Sequence, residues 1–233
     1  MSVISEYYGV LGFAAIAAGF SVIIDHSPLK TRTLSHAMNE ERRHWMIAMA
    51  HRDVRIVDSQ IIAGLQNGIA FFASTALLGI GAAFTLLTAL DSILAAMNDI
   101  PALASGTRTQ WEVMSLGLLV IYAYAFFKFG WAYRLVNYSA ILMGSCQNNG
   151  RGERASKTTL TVATKAWRMN TAAATQFNRG LRALFFSIGY LAWIAGPHAQ
   201  ILGTALVASL LAYRQFASAA RRALLDESDH SEP

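Results

Sequence analysis

Between Ile61 and Leu87 the chain reads IIAGLQNGIAFFASTALLGIGAAFTLL, apolar for nearly its whole length. A helix of about 20 apolar residues is long enough to cross a bilayer. In lipid the backbone must satisfy its own hydrogen bonds, which leaves helices and closed barrels as the only spanning structures. Similar runs recur along the chain, and 14% of its residues are charged, against about 25% in soluble domains. The expected fold class is all-α, an integral membrane helical bundle with five transmembrane helices. The spans are placed over about 7–24, 61–90, 113–134, 182–196 and 201–216. The last two flank Gly196-Pro197, so four spans with a Pro-kinked last helix stand as the alternative. The N-terminal stretch has no basic lead-in and reads as an uncleaved first span.

Two polar segments without Gly or Pro are expected as long amphipathic cytoplasmic helices, over about 33–60 and 153–178. In the first, Ile47, Ala50, Val54, Val57 and Ile61 step by three and four, an apolar stripe on one helical face. The stripe runs on through Gly64, Gly68 and Phe71, so this helix is expected to enter the second span without a break. Residues 1–220 read as one membrane-embedded domain, and 221–233 as a disordered acidic tail. Cytoplasmic flanks carry the Lys and Arg excess of membrane proteins. Sixteen of the nineteen basic residues fall after the first span, after the third span and in the tail. All three segments share one side only if the stretch after Leu181 goes out and back. The expected orientation has the N-terminus outside and the C-terminus in the cytoplasm. Anionic lipid headgroups suffice as partner for the net charge of +5, and no nucleic acid is expected.

Two blocks, RRHWMIAMAHRDVRIVDSQIIAGLQNGIAFFASTALLGIG and FNRGLRALFFSIGYLAWIAGP, resemble the bacterial membrane-protein family catalogued as domain of unknown function 599. With a similar layout of spans, the likeness covers most of the chain. It implies an integral membrane protein without a characterised activity and carries over no catalytic residue; the expected location is the bacterial inner membrane, with several passes.

The GLQNG motif places two amides in an apolar helix. Glycines four apart let helices approach closely, and Asn or Gln can bond across such a contact. Steps of seven from Asp53 give Gln60, Asn67, Ser74, Gly81 and Thr88, every one polar or small. A sustained period of seven keeps one seam toward a neighbour in a left-handed bundle. Together with Gly64 and Gly68, these residues are expected to form a helix-packing seam, or else to line a polar pathway. Lys128, the charge within the third span, either faces a polar cavity or snorkels to the headgroups.

The chemistry-bearing side chains do not assemble into a known motif. Glu41 and His44 form one Glu-x-x-His pair, and a di-iron bundle needs two. Glu40, Glu41 and His44 are therefore weak metal candidates, and no metal or other cofactor is expected. His198 follows Pro197 at a turn and reads as a wet loop residue rather than a haem ligand. Cys146 is the one cysteine, which excludes an internal disulfide. No P-loop, nucleophile elbow, HExxH or dinucleotide fingerprint is present.

Three function classes follow. The first is a structural or accessory membrane component, packing as a homo-oligomer or with a membrane-complex partner. The second is a homo-oligomeric channel or small-solute pathway lined by the polar face of the second span. The third is a membrane enzyme or metal site in the 26–58 loop.

Overall fold

A computed structural model of the chain describes residues 3–97, 107–147 and 155–226. The described residues form helices and turns with no strand: α1 (Val3–His26), α2 (Leu34–Ala50), α3 (Ile56–Thr88), α4 (Leu90–Met97), α5 (Arg108–Gly144), α6 (Lys157–Leu191), α7 (Pro197–Phe216) and α8 (Ala219–Asp226). Short 3-10 turns lie at Pro28–Arg32 and Ala192–Ala195. Four helices are long and apolar enough to cross a membrane: Tyr7–His26, Ile56–Thr88, Arg108–Gly144 and Pro197–Leu224. The all-α membrane-type bundle stands.

Three boundaries differ from expectation. The helix expected to run unbroken from 33 into the second span stops at Ala50, and α3 starts afresh at Ile56. The His51 and Arg52 amides bond to the carbonyls of Ala48 and Met49, which tightens the last turn and ends the helix. The stripe is split accordingly, with Ala50 fully buried while Val54, Val57 and Ile61 are exposed. No Gly or Pro marks this corner; packing decides it.

The amphipathic helix expected over 153–178 and the span expected over 182–196 are one helix, α6. Gly180 does not interrupt it. A Cβ there would sit 2.6 Å from a Phe129 ring carbon, so the glycine serves close packing. The fourth expected span, over 182–196, is thus the end of α6 and not a separate helix, and the described residues hold four candidate spans where five were expected. Nor is the last stretch a single kinked span. Gly196, at φ 105°, leaves α6 and its 3-10 extension, and Pro197 begins α7. That φ suits glycine, and proline suits a first helical position.

The third difference is the tail, where α8 extends helix to Asp226. Residues 153–154 and 227–233, included in those two expectations, lie outside the described residues.

The single domain expected over 1–220 divides by contacts into two compact units. One comprises the described residues of Met1–Ala37, Ala76–Tyr124 and Arg182–Pro233. Its core holds Trp111 edge-on to Trp193, with ring centroids 5.4 Å apart, and Met114, Leu118 and Tyr190 around them. The end of α6 and α7 pack at backbone distance. A Cβ on Gly189 would lie 2.8 Å from the Thr204 Cα, and one on Gly203 would lie 2.9 Å from the Ala192 Cβ. The Arg182 guanidinium donates to both carboxylate oxygens of Asp25, at 2.8 and 2.9 Å.

The other unit comprises Met38–Thr75 and the described residues of Ala125–Leu181. Phe72, Phe129 and Phe177 cluster with centroids 5.6 to 5.9 Å apart. Ala163, Ala166 and Ala173 are almost wholly buried on α6. Small side chains let α5 approach closely enough for Ser139 Oγ to donate to the Ala166 carbonyl at 3.0 Å. The Trp167 indole donates to the Asn39 carbonyl at 3.0 Å, which docks α2 on α6.

Candidate functional site

Helix α3 carries two seven-residue seams. Ile62, Ile69, Ala76 and Ala83 are buried. Gln60, Asn67, Ser74, Gly81 and Thr88 are all exposed, as are Asp53 and Gly64. A Cβ added at Gly64, Gly68 or Gly81 would meet nothing within 4 Å. The two sets are offset by two residues, or roughly 200° around a helix of 3.6 residues per turn. The seam read from sequence is therefore left uncovered by the chain's own helices. The paired amides part company at the same point. Gln66 turns inward and bonds to Asn137 of α5, while Asn67 points out.

Lys128 is half-buried. The weak metal candidates do not gather around one point. Glu40 pairs with Arg43 at 3.6 Å and Glu41 with His44 at 3.5 Å, all on exposed side chains. Among the described residues no group of three or more His, Cys, Asp or Glu is placed to hold a metal ion.

The corner between α2 and α3 gathers polar side chains that no sequence pattern joined. Asp58 lies in the first turn of α3 and is fully buried. Its Oδ1 accepts from Trp45 Nε1 at 2.7 Å and from Arg52 Nη1 at 2.8 Å. A carboxylate also suits the positive end of the helix dipole. Its partners belong to different levels: Trp45 is packed in α2, while Arg52 is about half exposed. This clasp holds α2 back against the start of α3, and so explains the break at residues 51–55.

Beside it lies a cavity of about 350 Å³, lined by Arg55, Ser59, Ile62, Gln66, Ala140, Met143 and Gly144. Arg55 donates to the carbonyls of Cys146 at 2.7 Å and Gln147 at 3.2 Å, just beyond the end of α5. A cation there satisfies the free carbonyls and the negative end of the dipole. Burial pushes the Cys146 thiol up, and Arg55 offsets part of that rise. At neutral pH less of it is therefore thiolate than in a free cysteine. Maleimide labelling of Cys146 is expected to be slow at pH 7 and to quicken at a higher pH than for a cysteine placed at Asp53, exposed in the corner between α2 and α3. Equal rates at the two positions across the pH range would show that the thiol is open to solvent.

Against known proteins, the family model described as "Protein of unknown function, DUF599" matches residues 8–220. No curated protein and no solved structure matches the chain.

Proposed function

The chain belongs to the DUF599 family, and from that premise we propose that it is a non-catalytic component of the bacterial inner membrane that assembles with a second copy through α3. The observation that carries this reading is the uncovered face of small and polar residues on an apolar helix. A lipid-facing Asn67 would leave its amide without hydrogen-bond partners. Small residues at Gly64, Gly68, Ser74 and Gly81 permit the close approach by which membrane helices associate. A two-fold contact brings each position near its own counterpart, so Asn67 finds an amide that can both donate and accept. The basic segments favour an orientation with the N-terminus outside and the C-terminus in the cytoplasm, which requires that the end of α6 crosses the membrane in addition to the four candidate spans.

The pathway alternative has less support. Thr75, Thr85 and Thr88 donate to the carbonyls of Phe71, Gly81 and Phe84 in their own helix, which reduces their call on water.

Cysteine cross-linking in native membranes tests the assembly. In a Cys146→Ser background, Ser74→Cys is expected to give a disulfide-linked dimer on oxidation, and Ala76→Cys, on the buried face, is not. Adding Gly68→Leu to the Ser74→Cys chain is expected to abolish the dimer without loss of folded protein, because the space around Gly68 is open within one chain. A monomer at Ser74→Cys under conditions that oxidise an engineered control pair would overturn the reading. Solute flux through liposomes holding the wild-type chain would favour the pathway instead.

A further inference from the structure

We propose that the cavity beside Arg55 receives the phosphate group of a membrane phospholipid, with the first carbons of its chains against Ile62 and Met143. Position is the first support. Arg55 immediately precedes α3, and Gly144 is the last residue of α5. The cavity therefore lies at the matching ends of two helices apolar enough to span, where hydrocarbon gives way to headgroups. Arginine is suited to that zone because its stem tolerates apolar surroundings while its head binds phosphate.

Charge is the second support. The guanidinium of Arg55 bonds two neutral carbonyls, and among the described residues it forms no ion pair with a carboxylate. Its Nε is buried and has no hydrogen-bond partner. The nearby carboxylate, Asp58, is already held by Arg52 and Trp45. The charge of Arg55 is therefore not joined to a carboxylate, and each of its Nη atoms keeps a second hydrogen beyond the one given to a carbonyl. A phosphate oxygen in the cavity can accept from such a donor in a charge-assisted bond.

The walls give the third support. Ser59 and Gln66 add polar groups, while Ile62, Ala140 and Met143 supply an apolar side. That mixture fits an amphiphile better than a free ion. The volume falls at the small end of the range of about 300–1,000 Å³ typical of ligand sites, enough for a headgroup and the nearest carbons but not for whole acyl chains.

Lipid retention by the full chain tests the proposal. Protein purified in mild detergent and stripped of lipid is titrated with phosphatidylglycerol, and bound lipid per chain is counted by native mass spectrometry. Wild type is expected to hold one molecule at low lipid concentration. Arg55→Gln removes the charge and should weaken binding about tenfold or more, the scale of one charge-assisted hydrogen bond. Because Arg55 also caps α5, a second variant is needed. Gly144→Phe keeps Arg55 and fills the cavity, and a Cβ at that position meets nothing within 4 Å. It should weaken binding to a similar degree while helicity and elution volume stay those of wild type. Unchanged binding in a folded Gly144→Phe chain would overturn the proposal, even if Arg55→Gln fails to fold. Displacement of the lipid by equimolar inorganic phosphate would overturn it too, because a soluble anion would then be the better occupant.

Discussion

Gly189→Leu is expected to leave little folded protein. A Cβ at this position comes within 2.8 Å of the Thr204 Cα and 3.1 Å of its nitrogen. These are backbone atoms of α7, which cannot rotate aside as a side chain can. Overpacking a core by a few methylenes typically costs about 1–3 kcal/mol, and a leucine forced against backbone belongs at or above the top of that range. The hairpin of α6 and α7 would have to open, and the opening would loosen Trp193 from Trp111. Gly189→Ala should be intermediate. The control is Gly19→Ala on α1, where open space means no clash and alanine's higher helix propensity adds roughly 0.5–1 kcal/mol. Thermal melting in detergent checks all three. If Gly189→Ala melted with wild type, the backbone contact would not exist as described.

Asp58→Ala is expected to cost about 2–4 kcal/mol. Truncating one member of a buried, hydrogen-bonded pair usually costs about 3–5 kcal/mol. Here Arg52 is half exposed and can return to water, which lowers the figure. The Trp45 indole, by contrast, is left with a donor and no acceptor. Asp58→Asn retains an oxygen for Trp45 but loses the charge, so it should fall between wild type and alanine. Its distance from each end separates the hydrogen bond from the ion pair. Limited proteolysis should cut the segment His51–Arg55 sooner in both variants. Protection unchanged from wild type would mean that the clasp does not hold the corner.

The spans of α1 and α5 were legible because runs of apolar residues of that length have few other fates. Gly196-Pro197 was legible as a boundary because it combines a residue free to take positive φ with one that cannot continue a helix. The break after Ala50 was not. Residues 51–55 contain neither Gly nor Pro, and the turn depends on Trp45 and Arg52 reaching Asp58, a set of contacts that no local pattern encodes. The joining of two expected elements into α6 was hidden for the opposite reason. Gly180 looks like a weak point, and only the Phe129 ring against it explains why it is there. On α3 the seven-residue period was visible, but period alone does not say which of two seams meets the chain's own helices. Ile62, Ile69, Ala76 and Ala83 share that period with Asn67, Ser74 and Gly81. The cavity beside Arg55 draws its walls from residues 55–66 and 140–144, and adjacency across such a gap comes only with the fold.

The ion pair between Asp25 and Arg182 spans 157 residues of sequence. At a synthesis rate of about 5–20 residues per second, Asp25 is added to the chain roughly 8–30 s before Arg182. Through that interval the first helix must wait in the bilayer with the carboxylate at its end not yet joined to this arginine. The unit that contains both residues draws on the beginning, middle and end of the chain. It is therefore completed only when translation is nearly over. A nascent chain stalled before α6 is finished would present an open α1, and the cell's membrane proteases would have the whole of that delay in which to find it.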